Sequence, residues 1–196
     1  MRIAAYVARR YESVTRIVLG RGATILTCPP LHDSVFVPGL LADYDLVVFN
    51  LHGLPDTPAW LGGDEMNDAV PALKAKTLAS CDLRGSGVFV VNCHLGDEQD
   101  PMRAALVTAA ADWIIGGAGE NFAGILVPVG ADVLLKWFCR ALRVLRKPDK
   151  ALAWAKRLAK RFAPEHTEQQ RMALADALGF EIWREHADQI LQAPHV

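Results

Sequence analysis

Residues Gly85–Asp97 read GSGVFVVNCHLGD, and the fold turns on them. Val88 to Asn92 is an apolar, β-branched run of strand length behind a Gly-Ser-Gly turn signal. A run without polar alternation is what a strand buried on both faces requires, as in a parallel sheet covered by helices. The run ends at Cys93, with His94, Leu95, Gly96 and Asp97 following at once. In open parallel α/β sheets the chemistry sits just past the carboxyl ends of the strands, where loops vary on a rigid support. A thiol there is well placed to react if a base is delivered beside it.

Working outward, Asp45–Asn50 (DLVVFN) is a second buried strand. It runs into Leu51, His52 and Gly53 and then a loop rich in Pro and Gly. The spacing predicts a helix from about Asp68 to Leu78 as the crossover that two parallel strands need. After the central strand, Asp100-Pro101 is an N-cap followed by a proline suited to the first turn, with the helix continuing to about Ala111. Asp112–Gly117 (DWIIGG) is another buried strand. Toward the N-terminus, Ile3–Val7 reads as a strand and Glu12–Leu19 as a helix, with Val14, Ile17 and Val18 at helical spacing. Thr24–Thr27 reads as a short strand stopped by Pro29 and Pro30. Residues 31–42 hold a turn at Pro38-Gly39 and no assignable element.

From Ala131 the pattern turns helical. Leu134, Phe138, Leu142 and Leu145 share one face, and Lys147-Pro148 ends the run. Asp149 caps a second helix with Leu152, Ala155, Leu158 and Phe162 on one face. Thr167 and Gln170 form a capping box for a third, closed by Gly179, and a last helix is predicted over Trp183–Leu191. The alternation of strand and helix through the first two-thirds argues an α/β fold. It predicts a mainly parallel central sheet, helices on both faces and a helical C-terminal extension. Residues 1–162 are expected to form the main domain and 163–196 that extension.

A chain of 196 residues supports one good core. Its 52% hydrophobic and 22% charged content excludes a disordered or fibrous class. A net charge of −1 provides no global field for nucleic acid or membrane. Cys28, Cys81, Cys93 and Cys139 follow neither a zinc-finger nor a small disulfide-scaffold spacing. No apolar stretch approaches the roughly 20 residues that span a bilayer. The short apolar run among Arg2, Arg9 and Arg10 is wrongly flanked for a signal peptide. The expected setting is the reducing cytoplasm, where a free reactive thiol survives.

Two strands thus end alike, one in His52-Gly53 and one in Cys93, with 41 residues from the histidine to the cysteine. That interval holds one loop, one crossover and one strand. If the strands are neighbours, both side chains leave the same sheet edge. An imidazole beside a thiol favours the thiolate and can later protonate a leaving group. Gly53 leaves room for a substrate carbonyl to approach a backbone amide, as an oxyanion hole requires. Other thiol chemistries fit less well. A nucleophile elbow wants small residues two before and two after the nucleophile, where this chain has Val91 and Leu95. His94 adjoins Cys93 and points away from it in an extended segment. Zinc held by Cys28, His32, Cys93 and His94 would need an irregular spacing. No glycine-rich phosphate loop occurs, so no nucleotide cofactor is expected, and no metal.

These residues resemble the caspase-like cysteine peptidases, and within them the CHAT family. LASCDLRGSGVFVVNCHLGD is similar to that family's Leu-Arg-Gly, hydrophobic strand and Cys-x-x-Gly block, and Ala109–Ala118 (AAADWIIGGA) to its next helix end and strand. The resemblance covers about Asp45 to Ala155. It implies a caspase-like three-layer fold and a cysteine endopeptidase acting on protein or peptide. His52 and Cys93 would be the catalytic dyad, and the amides of Gly53 and Cys93 the oxyanion donors. It also implies a bacterial response system in which a partner regulates the protease. The chain departs from the family at Val91, where a small residue is usual, and at Ala118–Phe122, which replaces a Trp-Pro-Val sequence. That second loop shapes specificity in the family, so substrate preference does not transfer. Asp97, Glu120 and Asn121 are the candidate specificity residues, and Asp97 or Glu120 would favour a basic side chain at the cleaved position. The alternative is a catalytically inactive interaction module of the same fold.

One stretch stands apart in charge. Arg140 to Arg161 contains nine basic residues against a single acid, Asp149. The plain reading is a solvated helix face. The sharper one is a docking face for an activating acidic partner or for nucleic acid.

Overall fold

The computed structural model describes residues 1–63, 70–95, 99–121, 123–162 and 167–184. Six strands form one sheet in the order β2-β1-β3-β6-β7-β8. Strands β1 (Ile3–Ala8), β2 (Ala23–Cys28), β3 (Leu46–Asn50), β6 (Gly87–Val90) and β7 (Trp113–Gly116) run parallel. The edge strand β8 (Glu181–Trp183) pairs antiparallel to β7.

The uninterrupted apolar runs of β1, β3 and β6 have the cause expected of them: both faces are covered. Tyr6, Val47, Phe49, Val88 and Val90 belong to a core with Trp60, Leu73, Leu78, Met102 and Leu106. Ile3, Ala5, Val7, Leu46, Val48, Phe89 and Val91 pack instead with Val14, Phe138, Leu142 and Leu152. Period-2 alternation therefore divides one strand between two apolar layers rather than between core and water. The first layer holds α2 (Ala75–Ala79) and α3 (Pro101–Thr108), and the second holds α1 (Glu12–Leu19), α4 (Ala131–Leu145) and α5 (Pro148–Phe162). This is the expected α/β architecture with a mostly parallel sheet and helices on both faces.

Local signals behave as the chemistry predicts. The Asp100 carboxylate accepts from the amides of Met102 and Arg103, and Pro101 opens α3. Thr167 and Gln170 form the complete capping box of α6 (Glu168–Ala177). Helix α5 starts at Pro148, so Asp149 lies within its first turn rather than capping it.

Two expectations are corrected. The crossover after β3 is not a helix over 68–78. From Val70 the chain forms β5 (Val70–Lys74), which pairs antiparallel with β4 (Ala59–Gly62), and only Ala75–Ala79 is helical. Pro71 lacks an amide hydrogen and suits a two-stranded ribbon better than a helix interior, while Leu73 is buried in the core that holds Trp60. The predicted last helix is wrong at its start, because Trp183 ends β8. Its remainder, 185–191, lies outside the described residues. Among the described residues no helix is long and apolar enough to cross a membrane.

Candidate active site

Parallel pairing of β3 with β6 aligns Phe49 with Val90, and the Val91 amide continues the ladder to the Phe49 carbonyl. The same register carried past the strand ends sets His52 level with Cys93. Two further contacts tie these ends together. The Leu51 amide donates to Oδ1 of Asn92 at 2.6 Å, stapling the residue before His52 to the residue before Cys93. Gly53 lies on the Cys93 peptide so closely that a Cβ there would stand 2.2 Å from the Cys93 carbonyl oxygen. Only glycine admits that approach, and it is what brings the His52 segment against Cys93.

His52 is anchored on its other side. Its backbone exchanges both hydrogen bonds with Leu61, which ties the loop to the β4–β5 hairpin. Its Nδ1 lies 3.4 Å from the hydroxyl of Tyr11, with the two rings tilted at a centroid distance of 5.2 Å. Tyr11 closes a short 3-10 turn directly after β1. Neighbouring strands β1, β3 and β6 thus deliver Tyr11, His52 and Cys93 to one sheet edge. Tyr11 was missed in the sequence because nothing local marks it; only the β1–β3 pairing places it there.

Cys93 differs from the other three cysteines in being only partly buried. Its thiol donates to the Asn121 carbonyl at 3.3 Å and accepts from the Asn121 amide at 3.2 Å. The Asn121 side chain donates to the Asn92 carbonyl at 2.8 Å. Amides of His94 and Leu95 donate to the carbonyls of Gly119 and Gly117, so the segment after β7 lies along the segment after β6. His94 adopts a left-handed φ of 61°, which turns the chain directly after the thiol. Burial pushes the Cys93 thiol above the usual range, the Asn121 amide opposes this, and the Glu120 charge adds to the rise. The direction is opposite to that expected of a thiol acidified by a neighbouring imidazole, because burial is the largest influence on it. Burial pushes Cys81 up to about 11 and Cys139 up to about 12, and raises Cys28 as well. Those three are packing residues.

Of the specificity candidates, Asn121 is at the thiol and buried, and exposed Glu120 lies close enough to influence its charge. Asp97 lies outside the described residues. The zinc alternative is not assembled: Cys28 packs against Gly62, the His32 ring bonds Ser34, and no group of metal ligands occurs among the described residues. A cleft of about 580 Å³ lies elsewhere, between Ala123, Val129 and the α6 residues Gln170, Met172 and Ala173.

With this geometry in hand, two solved structures are informative. A secreted C11 cysteine protease from Bacteroides thetaiotaomicron, bound to an irreversible peptide inhibitor, matches with a TM-score of 0.51 at 12% identity over 86% of this chain. The Arg-specific cysteine proteinase gingipain R matches with a TM-score of 0.57 at 13% identity over 91% of it. What the two share with this chain is the fold, a mostly parallel α/β sheet with helices. The chain spans 62% of the first protein and 45% of the second. No family model matches the sequence, and no curated protein does.

Proposed function

We propose that this chain is a cysteine endopeptidase of the caspase-like kind, with the CHAT family as its finer affinity. The observation that carries the reading is the placement of the His52-Gly53 segment on the Cys93 peptide at the carboxyl edge of paired parallel strands. In the first step His52 takes the Cys93 proton and the sulfur attacks the scissile carbonyl. The oxyanion is met by the amides of Gly53 and Cys93. The imidazolium then protonates the departing amine, leaving an acyl-enzyme that water hydrolyses with His52 as base, restoring thiol and imidazole. Tyr11 acts through His52: with Nδ1 protonated, its hydroxyl oxygen accepts and leaves Nε2 as the base. Glu120 supports a preference for basic side chains, the specificity that gingipain R carries in its name. The cytoplasm and a bacterial response system remain part of this reading.

The inactive-module alternative draws on one observation, the engagement of the thiol by Asn121. In the enzyme reading that contact is the resting state, displaced when substrate arrives. The test is the rate of iodoacetamide labelling at each cysteine, together with cleavage of a peptide library. The enzyme reading expects Cys93 to label fastest, the rate to fall in His52→Ala, and cleavage to vanish in Cys93→Ala. Equal slow labelling of all four cysteines, indifferent to His52→Ala, would count against catalysis and favour the inactive module.

A further inference from the structure

Helices α4 and α5 are joined by only Arg146 and Lys147, and they pack along each other over the second core layer. Their apolar stripes, including Leu134, Phe138, Ala151 and Ala155, face the sheet. The outward side is strongly cationic. Arg140, Arg143, Arg146, Lys147, Lys150, Arg157, Lys160 and Arg161 are all exposed, and Lys156 is half-buried. The one carboxylate in this stretch, Asp149, is already bound by Arg184. No carboxylate among the described residues pairs with the exposed cations. Outside the stretch the chain holds 12 basic residues against 21 acidic ones, so positive charge is concentrated on this hairpin. Crowding is felt locally: burial and the nearby Lys160 hold Lys156 below the usual lysine range, against the pull of Glu181.

Charge is interleaved with exposed apolar side chains. Val144 is 80% exposed and follows Arg143, one helical turn after Arg140, while Leu145 and Phe162 are also exposed. Adjacent Val144 and Leu145 give this end of the cationic face an apolar contact that a phosphate backbone would not use. The aromatic rings of the hairpin are engaged with one another: Trp137 carries Phe162 stacked at 5.4 Å, Trp154 edge-on at 6.2 Å and the Arg140 guanidinium at 4.9 Å. A base-stacking platform of the kind that binds single-stranded nucleic acid is therefore not on offer there.

We propose that the α4–α5 hairpin is a docking surface for an acidic protein segment whose carboxylates alternate with apolar side chains. Carboxylates would meet the Arg and Lys rows, and the apolar side chains would cover Val144 and Leu145. This surface stands independently of the chemistry at Cys93.

The test is fluorescence anisotropy on the full chain with three labelled probes of equal charge. One is a short Glu/Leu peptide, one the same peptide with every Leu replaced by Gln, and one an oligothymidylate. The Glu/Leu peptide should bind saturably and more tightly than the other two, with affinity falling as salt rises. Lys147→Glu with Lys150→Glu should weaken it by about tenfold, a fold-loss set by charge pairing at exposed positions. Both changes add acids near the start of α5, where the helix dipole favours them, so the fold is kept. Val144→Ser should weaken the Glu/Leu peptide and leave the Glu/Gln peptide unchanged. Equal binding of both peptides with no effect of Val144→Ser overturns the proposal in favour of a plain solvated face. Tighter binding of the oligothymidylate overturns it in favour of a nucleic-acid surface.

Discussion

The backbone of Asn121 holds the Cys93 thiol from both directions, its amide donating to the sulfur at 3.2 Å and its carbonyl accepting from it at 3.3 Å. A thiol that spends its proton on a carbonyl is not giving it to His52, and burial opposes the thiolate. In the proposed mechanism the Asn121 carbonyl must therefore release the thiol before His52 can take its proton. The side chain that holds Asn121 in place is its own amide on the Asn92 carbonyl. Asn121→Ala keeps the backbone and removes that anchor, so Cys93 should alkylate several-fold faster than in the wild type, read by mass spectrometry of each cysteine. An unchanged rate would show that the loop does not shield the thiol.

Gly53 offers a sharper lesion. A methyl group there would overlap the Cys93 carbonyl, which is main chain and cannot swing aside. Gly53→Ala should separate the His52 loop from Cys93 and lower peptide cleavage by about a hundredfold or more, as small misplacements of catalytic groups do. Melting should shift far less than activity, because the core layers beneath are untouched. Wild-type kcat/KM in this variant would sink the proposed role of the contact.

Tyr11→Phe removes the hydroxyl that lies against His52 Nδ1. Loss of a hydrogen bond of this kind is worth about 1 kcal/mol, so cleavage should fall by roughly fivefold. The imidazolium also loses an acceptor, which should move the acid limb of the kcat/KM profile to lower pH. A purely structural tyrosine would change the melting temperature and leave that limb in place.

Asp132 provides the pH dependence of stability. It is 1% exposed, its Oδ2 accepts the Gly124 amide at 2.6 Å and the Val129 amide at 3.4 Å, and burial pushes its carboxyl up to about 7. The folded chain therefore keeps this proton between about pH 4 and 7 while the unfolded chain has lost it. Stability falls as pH rises through that window and levels off above it, by an order-of-magnitude total of about 4 kcal/mol. The shifted carboxylates Asp45 and Asp82 are lowered rather than raised, so they act below this window. Denaturant midpoints from pH 4 to 8 should decline in the wild type and stay flatter in Asp132→Asn, which can still accept both amides. Parallel profiles for the two proteins would remove Asp132 as the cause.

The buried strands and both candidate catalytic residues were legible in the sequence for one physical reason. A strand covered on both faces must be apolar throughout, so β1, β3, β6 and β7 announce themselves as short β-branched runs, and His52 and Cys93 stand out as the first reactive side chains past their ends. Helix starts were legible because capping is local, as at Asp100 and Thr167. The β4–β5 hairpin was not, since a short apolar segment such as Val70–Leu78 suits either period until a partner strand pairs with it. Edge strand β8 is three residues long and exists only through its pairing with β7. Tyr11 beside His52, Asn121 on the Cys93 thiol and the burial of Asp132 are likewise meetings of segments distant in sequence. The chain by itself determined which layers form and which reactive groups reach the sheet edge, because burial and capping act through near neighbours. Only the tertiary structure decided whether that thiol rests free or engaged, because its ionisation depends on the solvent and dipoles that the β7 loop removes or supplies.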